Sequence, residues 1–296
     1  MTDENTTDTN YYDLSCYEEV EKFRFLDIPQ FFISVFVLSC ICNILVLVFL
    51  ALLKSLKSVT NIFILNLTLS NLLLIFELLL FVSLYIWGEI FGEVGLKAII
   101  FLFYVGFYSS VLFLTLMTVQ RYMAVVHPLS DWKKSRCFSV APFIIWILSG
   151  TVALLITIDS KFITEFEYSV EWISAIVYFQ NAFFFIAFLI MFFCYGRMFR
   201  TIRKSQTNKR HKTVRLTFFI ALVFFISWAP YNIVKFLSWT FDQFIKCEES
   251  KRLYYAAYYA YRMMAFSQCC ISPAILVFVH ARFRNNRFEQ IQGDFV

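Results

Sequence analysis

Three ionisable side chains, Glu77, Lys235 and Arg262, stand inside long apolar stretches of the chain. A charge that far from water is costly and rarely faces lipid, so it marks a binding pocket or a structural ion pair. The pair reading joins Glu77 to Arg262 and uses them only to hold two helices together. The pocket reading makes all three recognition groups for a charged ligand, and the cost of keeping them favours it. Catalytic chemistry has little to work with. The histidines His127, His211 and His280 lie in separate segments, and no paired His/Glu spacing that would hold a metal is present. An enzyme is not expected, and no cofactor or metal is implied. A retinal Schiff base is also unsupported, because the last apolar run has no lysine in its interior.

The surroundings that must position these groups are apolar. Of 296 residues, 60% are hydrophobic and 16% charged, with a mean hydropathy of +0.68, against roughly 45–50% apolar usage in soluble domains. Seven runs reach the roughly 20 residues needed to cross the hydrocarbon layer: 29–53, 60–87, 96–125, 137–158, 172–203, 211–242 and 252–279. They are long and continuous, which fits helices and not the short alternating strands of a barrel. The expected fold is an all-α membrane protein, a seven-transmembrane helix bundle at 29–279. It is preceded by an acidic segment, 1–28, and followed by a short tail, 280–296, that forms a short amphipathic helix. The start of the chain has no basic leader before an apolar core, so the first span is expected to direct insertion. A channel or transporter would show broken helices at the midplane or rows of charge, and the runs show neither.

Lysine and arginine sort by side. Lys54 and Lys57, then Arg121, Lys133, Lys134 and Arg136, then eight residues from Arg197 to Arg215, then Arg282, Arg284 and Arg287 all fall on one face. That face is cytoplasmic by the positive-inside rule, which places the N-terminus outside. The same sorting accounts for the net charge of +5 without nucleic acid. Outside, Asp3, Glu4, Asp8, Asp13, Glu18, Glu19, Glu21 and Asp27 face only Lys22 and Arg24. Such a segment suits a basic ligand, or serves as a solubilising leader. Asn5 opens a glycosylation sequon on the exterior side.

With the topology in place, scattered residues fall into one pattern. Asn43, Asn66 to Leu72, Gln120-Arg121-Tyr122, Trp146, Tyr195, Ser227-Trp228-Ala229-Pro230 and Ser272-Pro273-Ala274-Ile275-Leu276 resemble, in order and spacing, the marks of the rhodopsin-like (class A) G-protein-coupled receptors. Within them, Thr60 to Leu67, Tyr108 to Thr118, Ser227 to Asn232 and Phe266-Ser267 with Cys269-Cys270 resemble the chemokine receptors of the XC (lymphotactin) type. The resemblance implies a plasma-membrane protein that binds a small basic chemokine and signals through an inhibitory-type heterotrimeric G protein. An atypical, scavenging receptor of the same fold is the alternative.

The resemblance also assigns roles. Glu77, Trp87, Phe103, Tyr104, Lys235, Tyr261 and Arg262 would face an exterior pocket. Tyr11, Tyr12 and Tyr17, set among acids, resemble sulfated tyrosines that add acceptors for a basic ligand. Arg121 either snorkels or docks the G protein, with Tyr122 and Tyr195 beside it. Trp228, Pro230 and Pro273 would be switch residues, Pro230 opening a hinge by removing a backbone hydrogen bond. Gln120 stands where an aspartate usually restrains the arginine. Asn71 stands where relatives hold sodium with a carboxylate, so a sodium lock is not expected. Cys16 and Cys247 are the cysteines on the oxidising side and are expected to form a disulfide, as in chemokine receptors. Residues 281–296 contain no Ser, Thr or Cys, so arrestin recruitment is expected to be weak unless Thr201, Ser205 or Thr207 substitutes.

Overall fold

A computed structural model describes residues 6–52, 59–87, 91–128, 137–158, 170–203, 208–240, 257 and 259–277. Within these, the side chains of 6–28, 81, 84, 85, 137, 139, 170–173, 208–213 and 239 lie outside the description. The described residues are helical almost throughout. The elements are α1 (Thr6–Leu52), α2 (Val59–Leu74), α3 (Phe76–Ile86), α4 (Gly92–Val126), α5 (Cys137–Ile158), α6 (Val170–Arg203) and α7 (Asn208–Thr240). An eighth helical stretch, 259–277, is α8. Helices are what the composition demands, because a backbone in hydrocarbon must satisfy its own hydrogen bonds. Among the described residues, six stretches are long and apolar enough to span a membrane, from Pro29–Leu52 to Val214–Ser238. The seventh span is α8, which is less apolar because it carries Arg262, Gln268 and Ser272, all turned inward and buried.

The backbone of α1 is helical from Thr6 through Pro29 to Leu52, and its apolar span starts at Pro29. One expectation changes. The second span is not one helix. It stops at Leu74 and restarts at Phe76, with Ile75 N–H bonded to the Asn71 carbonyl at 3.2 Å and Leu78 N–H to the Ile75 carbonyl at 3.0 Å. The second bond skips back three residues instead of four, which tightens the turn. The expected helix in the tail, and the residues Asn5 and Cys247, lie outside the described residues.

α4 sits at the centre. Within their most apolar windows, the second and third spans are 61% buried, against 28% for the first. The first span shows why: Val37, Leu38, Ile41, Ile44, Leu45 and Val48 form a lipid-facing stripe, while Phe32, Val35, Ser39, Asn43, Val46 and Leu50 face inward at helical spacing. Polar ties fix the inner faces. Asn43 Nδ2 donates to the Cys269 carbonyl at 2.9 Å, Ser109 Oγ to Ser70 Oγ at 2.7 Å, and Trp146 Nε1 to Asn66 Oδ1 at 2.7 Å.

Small residues let α2 and α4 approach closely, as membrane helices do when their backbones meet. A Cβ added at Gly106 would lie 2.7 Å from the Leu74 amide nitrogen and 2.8 Å from the Ser70 carbonyl oxygen, and backbone atoms cannot step aside. A Cβ at Gly150 meets nothing within 4 Å. Gly106→Val should therefore cost about 1–3 kcal/mol by overpacking and lower the melting temperature of purified protein. Gly150→Val serves as the near-neutral control, and equal melting temperatures for the two variants would contradict the close α2–α4 contact.

Candidate functional site

The break at Ile75 comes just before Glu77, the second residue of α3, which is buried and turned toward the bundle axis. There Arg262 Nη2 donates to Glu77 Oε1 at 3.0 Å, with both side chains about nine-tenths buried. This is the ion pair foreseen between the second and seventh spans. It does not displace the pocket reading, because the other expected residues gather around it. Lys235 of α7 donates to Gln180 Oε1 at 3.2 Å and to the Tyr231 hydroxyl at 3.4 Å. Its Nζ lies 5.9 Å from the Tyr104 ring centroid and 5.4 Å from that of Tyr231, close enough for cation–π attraction. Tyr261 packs edge-on against Tyr231 at 5.6 Å, and Phe103 against Tyr104 at 5.2 Å. Trp87 is apart from these: it ends α3 and is 67% exposed, so it stands at the rim. Tyr11, Tyr12, Tyr17 and Cys16 lie on the helical backbone of α1 with side chains outside the description.

The floor of this cluster is Trp228, which is fully buried. Phe107 meets it at 5.0 Å, Tyr231 at 5.4 Å, Phe266 at 6.0 Å and Phe103 at 6.2 Å. A run of hydrogen bonds passes the same point. Gln180 Nε2 donates to Asn232 Oδ1 at 3.1 Å, and Asn232 Nδ2 donates to the Trp228 carbonyl at 2.9 Å. Trp228 Nε1 donates to Gln268 Oε1 at 3.5 Å, and Gln268 Nε2 to Ser272 Oγ at 3.1 Å. From Lys235 to Ser272, then, the exterior cluster is joined to α8 through the tryptophan, with Pro230 two residues along α7 and Pro273 beside Ser272. Gln180, Asn232 and Gln268 were missed by the sequence reading. They are polar side chains within apolar runs, and the criterion applied to charged residues would have found them had it been extended to amides.

At the cytoplasmic end of α4, Arg121 Nη2 donates to Thr60 Oγ1 at 2.7 Å, and the Thr60 hydroxyl lies 3.5 Å from Gln120 Oε1, to which it donates. The ionic restraint expected to be missing is thus replaced by a neutral clamp across to α2. Tyr195 accepts a hydrogen bond from Thr118 at 3.2 Å, holding α6 to α4. Tyr122 turns the other way, to His127 at 3.4 Å. Asn71 is buried, and its Oδ1 has no hydrogen-bond partner among the described residues.

Comparison with known proteins agrees with this arrangement. Residues 42–276 match the 7 transmembrane receptor (rhodopsin family). Chemokine XC receptor 1 of Homo sapiens is 39% identical over 285 residues, 93% of this chain and 85% of that receptor. The Mus musculus chemokine XC receptor 1 is 35% identical over 292 residues, 95% of this chain and 90% of its own. C-C chemokine receptor type 1 of Homo sapiens is 31% identical over 301 residues, 95% and 84% respectively. The chain is a chemokine receptor of the rhodopsin family. It is a multi-pass plasma-membrane receptor with an exterior N-terminus, and not an enzyme.

The Glu77–Arg262 pair then anchors the exterior half of the receptor, where breaking one partner strands a buried charge at a cost of about 3–5 kcal/mol. Glu77→Gln and Arg262→Gln should each lower the melting temperature of the purified receptor. The double variant should lose less than the sum of the two by about 1 kcal/mol or more. Strict additivity would show that the two side chains do not act as a pair.

Proposed function

We propose that this receptor binds a basic chemokine of the XC type and signals through an inhibitory-type heterotrimeric G protein. The observation that carries the reading is the hydrogen-bonded run from Lys235 through Gln180 and Asn232 to Trp228 and on to Gln268 and Ser272. It links the exterior Lys235 cluster with the tryptophan beside Pro230. A ligand that draws on Lys235 shifts the balance between packings of α7, and a two-state element responds by as much as its differential affinity allows. The acidic run Asp13 to Glu21 supplies long-range attraction for the basic partner. The likeness to XC receptors across nearly the whole chain supports the ligand type. Membrane lipid surrounds the exposed stripes.

The rival reading is a receptor that takes up chemokine without signalling, and it rests on Gln120 and Asn71, which depart from the family pattern. A panel of chemokines that includes XC-type members, assayed for cAMP and calcium responses alongside uptake, separates the two. The expected result is cAMP suppression by an XC-type chemokine that pertussis toxin abolishes. Uptake with neither response would assign the receptor to the scavengers.

The Thr60 clamp makes a second expectation. A hydroxyl holding an arginine stabilises the resting state less than a carboxylate does, so ligand-free signalling should already be raised. Thr60→Val keeps the shape and removes the hydrogen bond, worth about 1 kcal/mol, roughly a fivefold shift in the state ratio. Ligand-free cAMP inhibition at matched surface expression should rise in Thr60→Val and fall in Gln120→Asp. Three equal baselines would deny the clamp any part in restraint.

A further inference from the structure

Among the described residues, Lys235 carries a positive charge that no carboxylate meets in direct ion-pair contact. Lys235 lies near the exterior end of the apolar span Val214–Ser238. Its acceptors, Gln180 Oε1 and the Tyr231 hydroxyl, are neutral, as are the two tyrosine rings beside it. Among the described residues no carboxylate lies within ion-pair distance of its Nζ, and Glu77 is engaged by Arg262 at 3.0 Å. Taking an ammonium out of water costs several kcal/mol, and neutral acceptors offset that only in part. Lys235 is half-buried, and each of its two hydrogen-bond acceptors is neutral.

We propose that Lys235 is an anion subsite at the exterior end of the bundle, built to take a carboxylate carried by the part of the chemokine that enters it. This rests on the reading of the chain as a chemokine-binding receptor and names the charge its inner site selects. The outer and inner surfaces then discriminate by opposite sign. The acidic exterior segment attracts the basic body of the ligand, while Lys235 accepts only an acidic tip. A carboxylate at Lys235 forms a charge-assisted bond stronger than the one to Gln180. Gln180 is thereby released to its remaining bond with Asn232, the residue that holds the Trp228 carbonyl. Occupancy of the subsite is therefore felt at the tryptophan.

Two arms with the purified full-length receptor test this. In the first, an XC-type chemokine has each Asp, each Glu and its terminal carboxylate replaced in turn by the amide, and binding is measured to wild type, Lys235→Gln and Lys235→Glu. Lys235→Gln should weaken wild-type chemokine at least about tenfold. One amide-substituted chemokine should be insensitive to that change, and lysine at the same chemokine position should recover binding to Lys235→Glu. Additive losses at every acidic position, with no recovery, would overturn the proposal. The second arm needs no chemokine, and so stays informative if the receptor reading itself fails. In ligand-free receptor, Lys235→Gln removes an uncompensated charge and should raise the melting temperature, and a fall would mean that the receptor's own carboxylate already holds the ammonium, overturning the subsite. Sodium acetate should raise the melting temperature of wild type saturably and leave Lys235→Gln unmoved. An acetate effect without any chemokine coupling would assign the site to free anions and refute the ligand assignment.

Discussion

A polar group left unpaired in hydrocarbon costs several kcal/mol, and no water is at hand to relieve it. Apolar contact does not choose between helix orientations there, since a lipid tail is as good a neighbour for leucine as another leucine is. What fixes the rotation of each helix in this receptor is therefore its few polar side chains and its small residues. Asn43 turns one face of α1 toward the Cys269 carbonyl, and Asn66 turns α2 toward Trp146. Glu77 turns α3 toward Arg262. The stripe from Val37 to Val48 points outward as the consequence of those ties.

The same constraint shapes the second span. Gly106 brings the α4 backbone against Ser70 and Leu74, so the end of α2 is held close to its neighbour. Glu77 lies three residues after buried Leu74 and seven after buried Ser70, on the same inward face. It keeps that face beyond the tightened turn at Ile75, and Arg262 reaches it there.

The spans, their orientation and the three charges within the spans were legible in the sequence because each depends on composition along one segment. Twenty apolar residues, basic loops and a lone Glu in a run of leucines announce themselves one helix at a time. The turn at Ile75 was not legible, since neither proline nor glycine marks it. The partnership of Arg121 with Thr60 was hidden because it joins residues 61 apart whose meeting depends on how two helices are rotated. Trp87 was grouped with the pocket by family pattern, but it falls at the exposed end of α3, where the chain leaves the bundle. The continuous helix from Thr6 was also unforeseen, because an acidic, tyrosine-rich segment has no apolar stripe from which to read it.

The two ends of the bundle differ in how firmly they are held, and that difference bears on signalling. Outside, the charges of Glu77 and Arg262 meet directly in a dry interior, where electrostatic attraction is least screened. Inside, Arg121 is held through a threonine hydroxyl to a neutral glutamine, and its Nε has no hydrogen-bond partner among the described residues. A guanidinium on a neutral hydroxyl lacks the charge–charge attraction of an ion pair, so the cytoplasmic end is the softer of the two. A ligand at the exterior need not break the strong pair to act. It has only to change the hydrogen bonds of Lys235 and Gln180, which lead through Asn232 to Trp228, because the restraint it works against at the far end is already weak. A receptor built this way depends on its resting-state hydrogen bonds being few and each of small free energy, so that modest differential affinity moves the equilibrium.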